Sequence, residues 1–252
     1  MARRTSHVSW PAAMLVAATV GATPAAAQSR PQPRFEISAN AGALTGTSTF
    51  TESEAFPSNA ETETLTVAHG VKTVVAFNVG GAVRIVPQFW VGVQYAIAEA
   101  KPSAAITALV PHPLMFDAPR TVQGSITGVT HNEQNVHVDV MYALPIRAVD
   151  VKVMGGPTFF NLKQDFVSAV TVNETYPFDT ATFGSATTTQ LSNTAVGFNA
   201  GVDISRPLSS VVGVGALVRY SRADVKFNGR EISEQTVKAG GVEVAGGVRV
   251  RF

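Results

Sequence analysis

The chain has 252 residues, 19 basic and 18 acidic residues, no cysteine, and only 15% charged side chains. The missing cysteine excludes disulfide and thiolate chemistry, and the near balance of charge excludes the basic stripe that nucleic-acid binding requires. A water-exposed surface usually carries about 25% charged residues, so this composition is poor in charge for a soluble protein.

The N-terminus is not part of a fold. Arg3 and Arg4 form a positive n-region, Met14 to Gly21 a short apolar h-region, and Pro24 to Ala27 supply small residues before Gln28. That is the pattern of a secretory signal peptide, 1–27, cleaved after Ala27. Its apolar run falls short of the roughly 18 residues of a membrane helix, and no other stretch approaches that length. Cleavage removes Arg3 and Arg4 and no acid, so 19 basic residues become 17 against 18 acidic. The mature part, 28–252, is expected to be one all-β domain.

From Phe35 onward, apolar residues recur at every second position, the period of a strand with two unlike faces. A weak first strand sets Phe35, Ile37, Ala39 and Ala41 against Glu36, Ser38 and Asn40. The second sets Val75, Phe77, Val79, Val83 and Ile85 against Asn78 and Arg84; the third, Phe89, Val91, Val93, Tyr95 and Ile97 against Gly92 and Gln94. In the fourth, Val136, Val138, Val140, Tyr142 and Leu144 oppose Asn135, His137 and Asp139; in the fifth, Val151, Val153 and Phe159 oppose Lys152 and Met154. The sixth places Val196, Phe198, Val202 and Ile204 opposite Asn199 and Asp203. Val212, Val214, Val218 and Tyr220 oppose Arg219 and Ser221 in the seventh. The eighth ends the chain, with Val242, Val244, Val248, Val250 and Phe252 opposite Glu243, Arg249 and Arg251. Two positions break the pattern: Trp90 falls on the polar face, and Pro157 predicts a bulge or bend in the fifth strand.

The connections alternate in length. Short ones surround Pro87-Gln88, Pro145 to Val149 and Pro207 to Ser210; long ones run over 44–72, 99–133, 163–193 and 224–239. In an up-and-down barrel this puts all tight turns at one end and all long loops at the other. An even strand number with short periplasmic turns and four long outer loops is the pattern of an outer-membrane barrel. A soluble, lipocalin-like barrel also alternates, with its apolar face inward. The polar face decides between them: mostly Gly, Ala, Ser and Asn, it suits a crowded eight-stranded lumen better than a wet exterior. The apolar face carries no charge in any strand core, where Lys or Arg would cost about 2–4 kcal/mol at the bilayer midplane. Aromatics are expected in two girdles, Phe35, Phe89, Tyr142 and Phe252 below and Phe77, Tyr95, Phe159, Phe198 and Tyr220 above.

With these features the mature chain resembles the OmpA-like eight-stranded outer-membrane β-barrel superfamily of Gram-negative bacteria. The ending, with Val248, Val250 and a terminal Phe252, is similar to the signal read by the barrel-assembly machinery. The resemblance implies insertion by that machinery into an outer membrane of lipids and lipopolysaccharide. No peptidoglycan-binding domain follows Phe252, so cell-wall anchoring is not implied.

Nine inward charges are expected to form a lumen network: Glu36, Arg84, Asp139, Lys152, Asp203, Arg219, Glu243, Arg249 and Arg251. Charges removed from water must be paired, because stranding one partner costs about 3–5 kcal/mol. The network reads as a plug of ion pairs; a narrow gated ion path is the alternative, and a wide porin is excluded by the strand number. A lipid-modifying enzyme is the further alternative, but the inward His137, Asp139 and Ser221 lie on non-neighbouring strands, so no catalytic residue is assigned. His112, Asp117, His131 and Glu133 match no standard metal-ligand spacing, so neither metal nor cofactor is expected. The stretch Pro111 to Arg120, with three prolines and a Leu-Met-Phe centre, predicts an ordered loop. The Thr- and Ser-rich third connection predicts a mobile one. Asn173 to Thr175 matches a glycosylation sequon, too short a match to carry weight. Arg222 is placed either to meet lipopolysaccharide phosphates or simply to be solvated. The expected protein is a monomeric barrel with a structural or surface-interaction role.

Overall fold

A computed structural model describes residues 33–46, 49–146, 149–229 and 234–252. The expected signal peptide, 1–27, lies outside the described residues. The described chain holds twelve strands: β1 (Phe35–Thr45), β2 (Thr49–Ser58), β3 (Glu61–Gly70), β4 (Thr73–Arg84), β5 (Phe89–Ala100), β6 (Ala104–Val110), β7 (Arg120–Ile126), β8 (His131–Leu144), β9 (Asp150–Glu174), β10 (Ala181–Pro207), β11 (Val212–Phe227) and β12 (Gln235–Arg251).

Eight of them close an antiparallel up-and-down barrel in the order β1-β12-β11-β10-β9-β8-β5-β4. These are the eight strands expected from the alternation. The remaining four form a second antiparallel sheet, β2-β3-β6-β7, built from the first two long connections.

The barrel closes where β12 meets β1, in a register running from Glu36 opposite Arg251 to Thr45 opposite Val242. Phe252 finishes the seam: its N–H donates to the Phe35 carbonyl at 2.9 Å, and its own carbonyl accepts from Arg34 N at 2.6 Å and Phe35 N at 3.1 Å. Gly247 is required there, because a Cβ would stand 1.9 Å from the Ala39 carbonyl oxygen.

The outward face of the barrel strands is apolar and exposed, including Ile37, Val79, Val93, Val140, Val218 and Val244. Rings bound it at both ends. Phe89 and Tyr142 meet edge-on at 5.2 Å in the lower group, and Phe198 and Tyr220 lie 6.0 Å apart in the upper one. The level is set by register, since Tyr95 pairs with Val136, Val136 with Phe159, and Phe159 with Val196.

Above the upper rings the two faces exchange character. On β11 the outward series runs from Val218 and Tyr220 to Arg222, Asp224 and Lys226, while the inward series runs from Arg219 and Ser221 to Ala223, Val225 and Phe227. A strand whose exterior passes from hydrocarbon to water must turn its apolar residues inward, and the exchange marks that level.

Beyond it, β9 and β10 continue as one long hairpin that the β2-β3-β6-β7 sheet packs against. Leu65, Val67, Ile106, Val122 and Val167 are buried together in this contact, with Val170, Val172 and Phe183 at its margin. Two one-residue register shifts, at Ser168 and Gly184, reset the alternation so that Val167, Val170 and Val172 reach the same core.

Two expectations are corrected here. The third long connection is paired strand over most of its length rather than a mobile segment, because its Thr and Ser residues alternate with side chains that the second sheet covers. Pro157 produces no bulge: the β8–β9 ladder skips the pairs beside it, but His137 opposite Thr158 and Val140 opposite Gly155 keep one register. Trp90 lies on the inward, polar face where its parity puts it, buried in the lumen with Met141, Met154 and Leu217.

Candidate functional site: the lumen and the sheet beyond it

The lumen is filled in layers. At the lower mouth Glu36 accepts from Lys152 Nζ at 2.6 Å and from Arg251 Nε at 2.9 Å, and Arg251 also reaches Asp150 and, at 2.6 Å, the Ser205 hydroxyl. The Lys152 ammonium stands 4.3 Å from the centre of the Trp90 ring, and Arg84 lies 5.9 Å from it. That is cation–π distance, and it explains an indole on the polar face: the ring covers a cation that has left water.

The next layer centres on Arg249, fully buried, which bonds Asp203 through two nitrogens and Asn40 Oδ1 at 2.5 Å. Asn40 donates to Asn78, and Asn78 to Glu243. Arg219 follows, donating to Gln94 at 2.6 Å and to Asp139 at 3.3 Å, with Glu243 at 3.9 Å. All nine expected lumen charges therefore point inward; eight are buried, and Arg84 is half-buried at the mouth. Asp150 was missed. It shares the face of Lys152 two residues on, but it stands at a strand start beside a turn, where parity alone carries little information.

The void enclosed by Glu36, Ser38, Gln94, Lys152, Met154 and Asp203 measures about 10 Å³, roughly the room one water needs. Higher up, His137 meets the Thr158 hydroxyl at 2.8 Å, which also accepts from Asn199 at 3.0 Å. Asp139 is engaged by Arg219, so His137 and Asp139 are each committed to a partner other than Ser221. His131 bonds Glu133 at 3.0 Å and Gln164 at 2.7 Å, and the other Glu133 oxygen accepts from Gly240 N. Above these, Phe160, Leu162, Phe166, Val225, Phe227 and Val237 close the barrel interior with a dry cluster. Ion pairs were legible in the sequence; this apolar cap was not, because its residues lie above the level where the faces exchange.

The Pro111 to Arg120 stretch is the ordered β6–β7 loop. His112 Nδ1 accepts from the Leu114 and Met115 amides, both at 3.1 Å, and His112 Nε2 faces Asp179 at 3.9 Å. Buried Arg120 donates to Pro111 O and to Phe178 O, both at 2.9 Å, and pairs with Glu174 at 2.5 Å. His112 and Asp117 thus serve this loop, while His131 and Glu133 pair on β8, so the four residues weighed as metal ligands belong to two separate sets. Arg222 stands half-exposed on the outward face, opposite Phe198 at the upper girdle.

The described strands thus form a closed, eight-stranded, antiparallel barrel. The chain is similar to Neisserial surface protein A at 13% identity, covering 86% of this chain and 97% of that one, with a TM-score of 0.46. It is similar also to Ail, the attachment invasion locus protein of Yersinia pestis, at 13% identity, 86% and 99% coverage and a TM-score of 0.36. For the outer membrane protein AlkL the identity is 13%, the coverage 93% and 94%, and the TM-score 0.33. No protein-family model matches the sequence, and no curated protein matches it significantly.

Proposed function

We propose that the chain is an outer-membrane barrel with a closed lumen, acting at the cell surface through the sheet and hairpins that extend beyond the upper girdle. The observation that carries this reading is the pairing of two interiors. One is a lumen crossed by ion pairs, where the void between Glu36, Gln94, Lys152 and Asp203 has room for about one water. The other is a dry core, outside the girdles, that stiffens a second sheet. A barrel serving only to anchor itself would have no use for the second core. A pore would not be packed through its centre.

A narrow gated ion path is the second reading, favoured by one detail: Arg219 Nε is buried without a hydrogen-bond partner, so the mid-lumen network is not fully satisfied. Conductance across planar bilayers separates the two. The parent chain and its Arg84→Ala and Arg249→Ala variants are expected to stay closed under applied voltage. Stable, cation- or anion-selective steps in the parent, altered in either variant, would replace the closed reading with the gated one. Recovery of the mature chain in the soluble periplasmic fraction would defeat both.

A further inference from the structure

The end of the molecule farthest from the tight turns is built from three pieces of chain: the β2–β3 turn, the β6–β7 loop and the β9–β10 tip. They are bonded to one another. Asn59 donates to Pro111 O at 3.3 Å, Asp117 N donates to Glu61 Oε1 at 2.9 Å, and Arg120 spans from Pro111 O to Phe178 O and Glu174. On this frame the large apolar side chains point away from the protein. Leu114 is 64% exposed, Phe116 76% and Tyr176 80%.

Exposed apolar side chains on a loop of free choice would normally be replaced by polar ones. Here the chain uses buried His112 and Arg120 to hold the backbone beneath them. Apolar and aromatic anchors held in place are the hot-spot chemistry of protein interfaces, and fixing them in advance lowers the ordering cost of association. The rim has one sign. Glu61, Asp117, Glu174 and Asp179 are four acids on these pieces of chain, and the Arg120 guanidinium among them is committed to Glu174.

We propose that this distal end is a docking surface for a basic, amphipathic polypeptide segment, whose apolar side chains seat against Leu114, Phe116 and Tyr176 while its cations face the acidic rim. The proposal rests on the surface-interaction reading above and names its partner class. Charge complementarity selects a basic polypeptide over a second bilayer, because lipid phosphates would meet the acids with like charge.

The test uses the mature barrel in phosphatidylcholine nanodiscs, with empty nanodiscs subtracted. The probes are a short amphipathic Leu/Lys peptide, the same peptide with Glu for Lys, and phosphatidylcholine or phosphatidylglycerol vesicles. Saturable binding of the Lys peptide, one per barrel and weakened by salt, is expected. The Phe116→Ser/Tyr176→Ser variant should bind about tenfold or more weakly, and Asp117→Asn/Asp179→Asn should lose much of the salt dependence. Heat-modifiable gel migration checks that both variants still fold. Equal binding of the Lys and Glu peptides, parent-like binding by the Ser variant, or capture of vesicles in place of peptide would each overturn the proposal. A barrel that remains membrane-bound and non-conducting yet ignores the peptide loses only this partner. Conduction or a soluble chain would remove the reading beneath it.

Discussion

Arg249 sits at the centre of a barrel with no access to solvent, yet it is bound on two sides: Asp203 takes two of its nitrogens and Asn40 a third hydrogen bond. A buried ion pair is a poor source of net stability but a costly one to break. Arg249→Ala leaves the Asp203 carboxylate without its partner, and an expected loss of about 3–5 kcal/mol follows. In Arg249→Ala/Asp203→Ala no charge is stranded, so the double variant should be more stable than the sum of its single losses allows. Urea unfolding in detergent, followed by the fluorescence of Trp90, measures both, and strictly additive losses would refute the coupling. Trp90 suits this use because the other tryptophan, Trp10, falls within the expected signal peptide. At this scale the sequence was readable wherever a charge fell on the polar parity of a long strand. Pairings such as Arg251 with Asp150 were not, since they depend on barrel register and on turns that parity does not describe.

The eight barrel strands were legible because their faces meet chemically opposite surroundings over many residues. The four strands of the second sheet were not. In β6 the sequence AAITALV buries Ala104, Ile106, Ala108 and Val110 but leaves Leu109 exposed, so its two faces contrast weakly. In β9 and β10 the extra residues at Ser168 and Gly184 reset the parity midway, hiding a core from any count by twos. Thr and Ser on the uncovered face then gave β10 the look of a solvated loop. The element-scale prediction concerns this second core. Ile106→Ala removes buried methylene groups from a site that is 1% exposed, and about 2–5 kcal/mol should be lost there. Because the sheet lies outside the barrel wall, the damage should stay local. Limited proteolysis should cut β2, β3, β6 or β7 sooner, while heat-modifiable migration of the barrel is unchanged. Loss of heat-modifiability at the same protease dose would show instead that the two cores unfold as one.

At the scale of the whole molecule the question is what makes a chain of alternating strands into a closed tube. Closure joins the first strand to the last, and the seam between them ends on Phe252. Two properties of that residue are separable. Its backbone supplies the N–H and carbonyl that tie β12 to Arg34 and Phe35, and its ring, 63% exposed, belongs to the lower girdle. From the resemblance to assembly signals we propose that the ring has a further use as an address. Deleting Phe252 removes backbone and ring together, whereas Phe252→Ala keeps the three seam hydrogen bonds and loses only the ring. If the ring is the address, both changes should cut the yield of membrane-inserted barrel to a similar degree in cells, with secretion across the inner membrane unaffected. Both proteins should still refold in detergent, where no machinery reads the address, with only the deletion weakened at the seam. If Phe252→Ala inserts normally in cells while the deletion fails, the seam bonds carry the effect and the address is excluded.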